Sequence, residues 1–237
     1  MKQFRRTELI FGSDAMEKLK KSRVAVFGIG GVGGHVVESL VRSGVGAIDL
    51  IDSDVVHNSN INRQVIALLS NVGENKVDEF EKRIKDINPD AIVNKHVCFF
   101  TPENSHLFNF SDYDYIADCI DTVTGKIELV MKAQEVGVPI ISSMGTGNKM
   151  NPTELEVSDI YKTSVCPLAK VMRYELKKRR VKKLKVIYSK EIPITPNEII
   201  EDAQSKKRII GSNAFVPAAA GIIIASEIVK DIIKKER

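Results

Sequence analysis

Six residues, Gly28-Ile29-Gly30-Gly31-Val32-Gly33, place four glycines where an apolar run, RVAVFG (23–28), passes into the pattern HVVESLVRS (35–43). Glycine lets a backbone turn tightly and come close to a phosphate, whose charge is then met by free N–H groups at a helix N-terminus. Downstream, Asp52 stands at the end of a second apolar run, AIDLID (47–52), where a carboxylate can accept hydrogen bonds from ribose hydroxyls. On these residues alone a dinucleotide and a mononucleotide both remain open. Charge separates them, because a triphosphate carries about four negative charges and recruits Lys, Arg and Mg²⁺ beyond what backbone amides supply. The chain provides Asn60, Arg63 and Gln64 in NINRQ, then Lys76, then Asp121 and Lys126 after a further apolar run. Taken together these favour ATP.

The elements that must position these residues follow from periodicity. Val36, Val37, Leu40 and Val41 share one helical face, and Val77, Phe80, Ile84 and Ile87 share another in a helix that Pro89 ends. Strands are expected at 23–28, 47–52, 91–99, 113–121 and 138–145, with a helix at 125–137. Strands alternating with helices imply an α/β fold, a Rossmann-like, mostly parallel sheet with helices on both faces. Further on, 146–166 reads as loop and irregular structure, and Pro167 opens a basic amphipathic helix. A strand at 184–189, a polar and mobile insertion at 194–208, and a long apolar closing helix in FVPAAAGIIIASEIVKDII complete the reading.

Composition sets limits. The chain has 237 residues, 43% hydrophobic and 28% charged, which excludes a disordered or fibrous chain and suits one large domain. No apolar run reaches the length of a membrane span and no secretory leader is evident, so a cytoplasmic location away from any membrane is expected. The three cysteines form no CxxC pair, and no His lies at a ligand spacing from a Cys or carboxylate, so no zinc is assigned. Cys98 and Cys119 read as core residues, and Cys166 as a small loop residue. The net charge of +4 is unevenly spread: residues 170–190 hold ten Lys/Arg against the single acid Glu175. Lys170, Arg173, Lys177 and Arg180 fall on one helical stripe there, which suggests binding to an acidic partner such as the backbone of RNA or DNA.

GIGGVGG, LIDSDVV, NSNINRQ, VGENK, RIKDINP and DCID together resemble the adenylating domain of the ubiquitin-activating (E1-like) superfamily related to ThiF and MoeB. The resemblance implies that residues 5–150 form the nucleotide-binding core of a single 1–237 domain, and that 151–237 form a substrate-side elaboration. It implies that Asp52, with Asp54 near it, holds the ribose beside the loop of Gly28, Gly30, Gly31 and Gly33, and that Asn60, Arg63, Gln64 and Lys76 surround the phosphates, to which the residue reading adds Lys126. It gives Asp121 to Mg²⁺ and to adenylation, alongside Arg63 as a catalytic group. Arg6, in FRRTEL, resembles an arginine inserted into a neighbouring subunit's ATP site, so a homodimer is implied. In the second half, SSMGTGNKMNPT, PLAKVMRYELKKR and KVIYSKE are similar to the tRNA threonylcarbamoyladenosine dehydratases. Those enzymes cyclise the modified adenosine at position 37 of tRNA, which implies ATP, Mg²⁺ and tRNA as ligands. A monovalent cation and a sulfur-transfer protein are raised by the same resemblance and left open. Two other functions stay in view: activation of the C-terminus of a small sulfur-carrier or ubiquitin-like protein, and a non-catalytic partner role. Some relatives have a cysteine near GSNAF where this chain has Ser212 and Asn213, so a covalent thiol step is not carried over.

Overall fold

The computed structural model describes residues 2–198, 200 and 208–234. Their elements run α1 (Arg5–Phe11), α2 (Ser13–Lys21), β1 (Arg23–Phe27), α3 (Gly33–Arg42), β2 (Ala47–Ile51), α4 (Lys76–Ile87) and β3 (Ile92–His96). There follow β4 (Tyr115–Asp118), α5 (Val123–Val136), β5 (Ile140–Ser143), β6 (Leu155–Asp159), α6 (Pro167–Lys178), β7 (Lys185–Ser189) and α7 (Val216–Ile233). The strands form one seven-stranded sheet in the order β3-β2-β1-β4-β5-β7-β6. Every neighbouring pair is parallel except β6–β7. The chain moves outward from β1 through β2 to β3, then returns to place β4 on the other side of β1. That reversal leaves a crevice at the carboxyl ends of β1 and β4, the place where open α/β sheets bind ligands.

Burial explains the central strands. Val24, Ala25, Val26 and Phe27 of β1 are all buried, as expected of a parallel strand covered on both faces. On one face α3 and α7 pack together, and Val36, Val37, Leu40, Ile224 and Ile228 join a single core. The approach is close enough that a Cβ on Gly221 of α7 would lie 2.3 Å from the Val32 carbonyl oxygen. On the other face Phe27, Phe100, Phe108 and Phe110 form an aromatic cluster with Leu129 and Ala133 of α5. Asp49, buried in β2, is held by the Arg23 guanidinium at 2.7 and 2.9 Å and lies 3.1 Å from the His96 ring. Hydrogen bonds from Arg23, His96 and Asn94 keep its carboxyl below the usual range despite burial.

Two segments depart from the sequence reading. Residues 146–166, expected to be irregular, contain β6, whose Leu155 and Val157 pack on the core while Glu156 and Ser158 alternate with them. An alternation this short is a weak signal, and β6 is completed only by its antiparallel pairing with β7. Residues before Arg23 were assigned no element, yet they fold into α1 and α2, with Ala15 and Leu19 buried. About half of the expected insertion at 194–208, residues 199 and 201–207, lies outside the described residues. Among the described residues no helix is long and apolar enough to cross a membrane.

Candidate active site

The loop leaving β1 begins with Gly28 at φ +80°, a left-handed conformation that side chains resist. A Cβ there would also sit 2.9 Å from the Cys119 carbonyl oxygen, so only glycine lets the loop pass beside the end of β4. Gly33 has a different task. Its missing Cβ would come within 1.8 Å of the Gly28 carbonyl oxygen, so glycine here lets the first turn of α3 close onto the loop. Gly33→Ala is therefore expected to displace the loop. Isothermal titration should show ATP affinity falling more than about tenfold, with a loss of stability on the order of 1–3 kcal/mol.

Around this loop lies a cleft of about 360 Å³. Gly28, Gly30, Gly31, Asp52, Asp54, Asn60, Arg63, Gln64, Lys76 and Asp121, all expected from the sequence, line it. Asp52 is oriented by the loop itself: its Oδ2 accepts from the Ile29 amide and its Oδ1 from the Asp54 amide, both at 2.9 Å. Lys76, only 3% exposed, opens α4 and donates from Nζ to Asp54 Oδ2 at 2.8 Å, with Asp52 Oδ1 3.8 Å away. Arg63 donates to the Ser59 carbonyl at 2.8 Å and to Asn62 Oδ1 at 2.9 Å, and its aliphatic stem lies beside Gly31. Asn60 closes the preceding turn by accepting from the His57 amide at 3.1 Å. Gln64 is buried, and its Oε1 has no hydrogen-bond partner among the described residues, so an acceptor stands ready at the loop. Asp121 follows β4, is exposed at the cleft, and makes no ion pair among the described residues.

Two expectations are corrected. Lys126 is not at the cleft: it is 0% exposed and donates to Asp118 Oδ1 at 3.0 Å and to the Ser143 carbonyl at 2.8 Å. Its position on the first turns of α5 turns it behind β4 rather than toward the loop. The stripe of Lys170, Arg173, Lys177 and Arg180 is not continuous. Arg173 folds back onto the Thr163 carbonyl and hydroxyl, and Arg180 lies past the end of α6 with φ +58°. Arg6, which the resemblance gives to a neighbouring subunit's site, is exposed on α1 and does not line its own chain's cleft.

The sequence reading missed Cys98, Phe99 and Phe100, which form one wall, and Thr122, Thr146, Ser212 and Pro217, which reach the cleft from later segments. The wall could have been found. β3 runs parallel to β2, and the Asp52 amide donates to the His96 carbonyl, so the chain leaving β3 must emerge beside Asp52. Phe99, 56% exposed, presents an aromatic ring there. Burial pushes the Cys98 and Cys119 thiols up, so both stay protonated near neutral pH and neither is poised as a nucleophile.

Comparison with known proteins agrees with this geometry. The ThiF family profile matches residues 4–237. A tRNA threonylcarbamoyladenosine dehydratase of Bacillus subtilis is 44% identical over 98% of this chain and 95% of its own length. The Escherichia coli protein of that name is 33% identical over 98% and 94%. The crystal structure of E. coli tRNA N6-threonylcarbamoyladenosine dehydratase, TcdA, in complex with ATP superposes with a TM-score of 0.88 at 32% identity, covering 98% of this chain and 94% of that one. With the family profile matched from residue 4 to 237, a relative 44% identical over 98% of the chain, and a glycine loop at the switch point of a matching sheet, the chain belongs to the ThiF family.

Proposed function

We propose that this protein is an ATP-dependent tRNA threonylcarbamoyladenosine dehydratase, which activates the threonyl carboxylate of the modified base as an acyl adenylate and closes it into a ring. One observation carries the reading: a phosphate loop, Asp52, Arg63, Lys76 and an uncommitted carboxylate, Asp121, converge in one cleft. Similarity to dehydratases over nearly the whole chain supports the choice of substrate.

A carboxylate cannot expel oxide, so it needs a better leaving group. Its oxygen attacks the α-phosphorus of ATP, the bond to pyrophosphate breaks, and the acid becomes an acyl–AMP anhydride. The carbamoyl oxygen of the same side chain then attacks the acyl carbon, AMP departs, and a proton is released. Because this second step is intramolecular, proximity supplies much of the rate and no protein nucleophile is required. That fits a cleft whose two thiols are both held protonated. Asp52, fixed by two amides, is placed to accept from ribose hydroxyls. Phe99 offers its ring to the adenine. Arg63 and Lys76 offset the charge of the phosphates, and Lys76 would exchange part of its bond to Asp54 for a phosphate oxygen.

Mg²⁺ fits this donor set. No group of three or more metal-ligating side chains occurs among the described residues, and Mg²⁺ held through one carboxylate and substrate phosphates needs none. Asp121 would hold it, and the ion would spread the negative charge gathering on pyrophosphate. The core 5–150 supplies most of the cleft, and the elaboration 151–237 adds Ser212 and Pro217. A tRNA substrate supports a cytoplasmic location.

Incubating the protein with ATP, Mg²⁺ and tRNA bearing the open modification should yield nucleosides lighter by one water, read by mass spectrometry. Pyrophosphate exchange that instead requires a small carrier protein with a C-terminal glycine, and ignores tRNA, would replace this reading with carrier activation.

The same reading includes a homodimer. Arg6 is missing from its own cleft, while its helix shows Leu9 at 74% and Ile10 at 82% exposure, an apolar face that a second copy would cover. Mixing Arg6→Ala with Arg63→Ala should then restore part of the lost activity, because one of the two sites in each mixed dimer is intact. Verified subunit exchange without recovery would count against action across the dimer.

A further inference from the structure

We infer that the RNA backbone is held chiefly by the loop after α6, through Arg180, Lys182 and Lys183, with Lys170 and Lys177 marking the path from the cleft; this rests on the tRNA reading above. The starting point is where α6 begins and ends. Its N-terminal residues adjoin the cleft: a Cβ on Gly145 would lie 3.8 Å from Cys166 Sγ and 3.9 Å from Leu168 Cβ, and the next residue, Thr146, lines the cleft. Its last residues lead to Lys185, the first residue of β7, a strand parallel to β5. The loop 179–184 therefore sits at the amino end of the sheet, opposite the cleft. Twelve residues of helix span roughly 18 Å, so α6 bridges the two ends.

Charge along this path is uneven in a way the helical stripe hides. Lys178 and Arg179 are spent on Glu175, at 3.2 and 2.7 Å, and Arg173 on Thr163. Lys170, Lys177, Arg180, Lys182 and Lys183 are exposed and make no ion pair among the described residues. The three in the loop are also presented firmly. Val181 is buried between them, its amide bonded to the Leu176 carbonyl and its own carbonyl accepting from the Tyr161 hydroxyl. The left-handed turn at Arg180 directs the chain off the helix axis, and it brings Arg180, Lys182 and Lys183 to the rim of a broad groove at the amino end of the sheet. The acids on the same groove are already engaged. Asp159 accepts from the Tyr161 and Leu184 amides, and Asp231 from Tyr115, Lys185 and Lys234. Glu227, one helical turn from Asp231, is taken by Lys185 and Lys230. What remains is an uncompensated cationic rim, spaced along a line leading from the nucleotide site, which suits successive phosphates of one strand and exceeds what any single small anion needs.

The test uses the full chain and an unmodified, full-length tRNA transcript, so that the backbone rather than the modified base is read. Arg180→Glu, Lys182→Glu and Lys183→Glu together should weaken binding at least about tenfold at low salt. The log–log salt slope should flatten by about two to three units, while ATP affinity and the melting curve stay at wild-type values. A charge-matched control, Lys20→Glu with Lys82→Glu and Lys132→Glu, should bind RNA nearly as wild type. If the loop variant keeps the wild-type affinity and slope, or the control loses as much, the loop is not the RNA site and a surface free for an acidic protein remains. If the wild-type protein itself binds no tRNA at any salt, the substrate reading fails first, and the two failures are thereby told apart.

Discussion

Asp121→Ala should lower the rate of adenylation about 10²–10³-fold while leaving the melting temperature within a degree or so of wild type. The carboxylate is exposed, lines the cleft and supports no ion pair among the described residues, so its removal takes nothing from the core. The loss should fall on kcat more than on the affinity for ATP, because charge on the departing pyrophosphate grows in the transition state and a group that meets it acts there. Single-turnover formation of AMP from ATP and modified tRNA, together with a thermal melt, would measure both quantities. Near-normal turnover in saturating Mg²⁺ would remove Asp121 from the chemistry.

The opposite signature is expected of Lys126. Both it and Asp118 are fully buried, and Ser142 Oγ completes the group by donating to Asp118 Oδ2 at 2.6 Å. Lys126→Ala strands a buried carboxylate with one hydroxyl donor and should cost about 3–5 kcal/mol, a drop in melting temperature on the order of 10 °C. Replacing both charges, Lys126→Met with Asp118→Asn, should recover most of that loss, since a neutral amide can still accept from Ser142 and no unpaired charge remains. ATP affinity of the double variant should stay close to wild type. A lysine that contacted phosphate would instead lose ATP affinity with its stability intact, so the pair of measurements distinguishes the two roles.

Lys126 also shows how far residues in a line can be read. Asp121 and Lys126 both follow β4 and both carry a charge suited to a nucleotide, and sequence order alone treats them alike. Only the path of the chain separates them: Asp121 leaves the strand at its carboxyl end, where the sheet opens, and Lys126 lies on the inward face of α5. The basic stripe was misread for a similar reason. A helical projection assumes that the helix continues, but it ends at Lys178, so Arg180 points elsewhere. Nor could periodicity show that the Thr163 carbonyl and hydroxyl lie within reach of Arg173.

What the sequence determined by itself was the local grammar of the fold: largely apolar central strands for a buried parallel sheet, amphipathic helices between them, and glycines at a strand-to-helix turn. These features are set by neighbours a few residues away, where backbone sterics and a periodicity of 2 or 3.6 decide the outcome. The order of strands was decided by tertiary structure, and with it the crevice between β1 and β4. So were the edge strand β6, the wall of Cys98, Phe99 and Phe100, and the arrival of Ser212 and Pro217 beside a loop nearly two hundred residues earlier. The same holds for which charges are spent on each other and which are left for a ligand. Coulomb and hydrogen-bond energies depend on distance and burial in space, and neither quantity is carried by spacing along the chain.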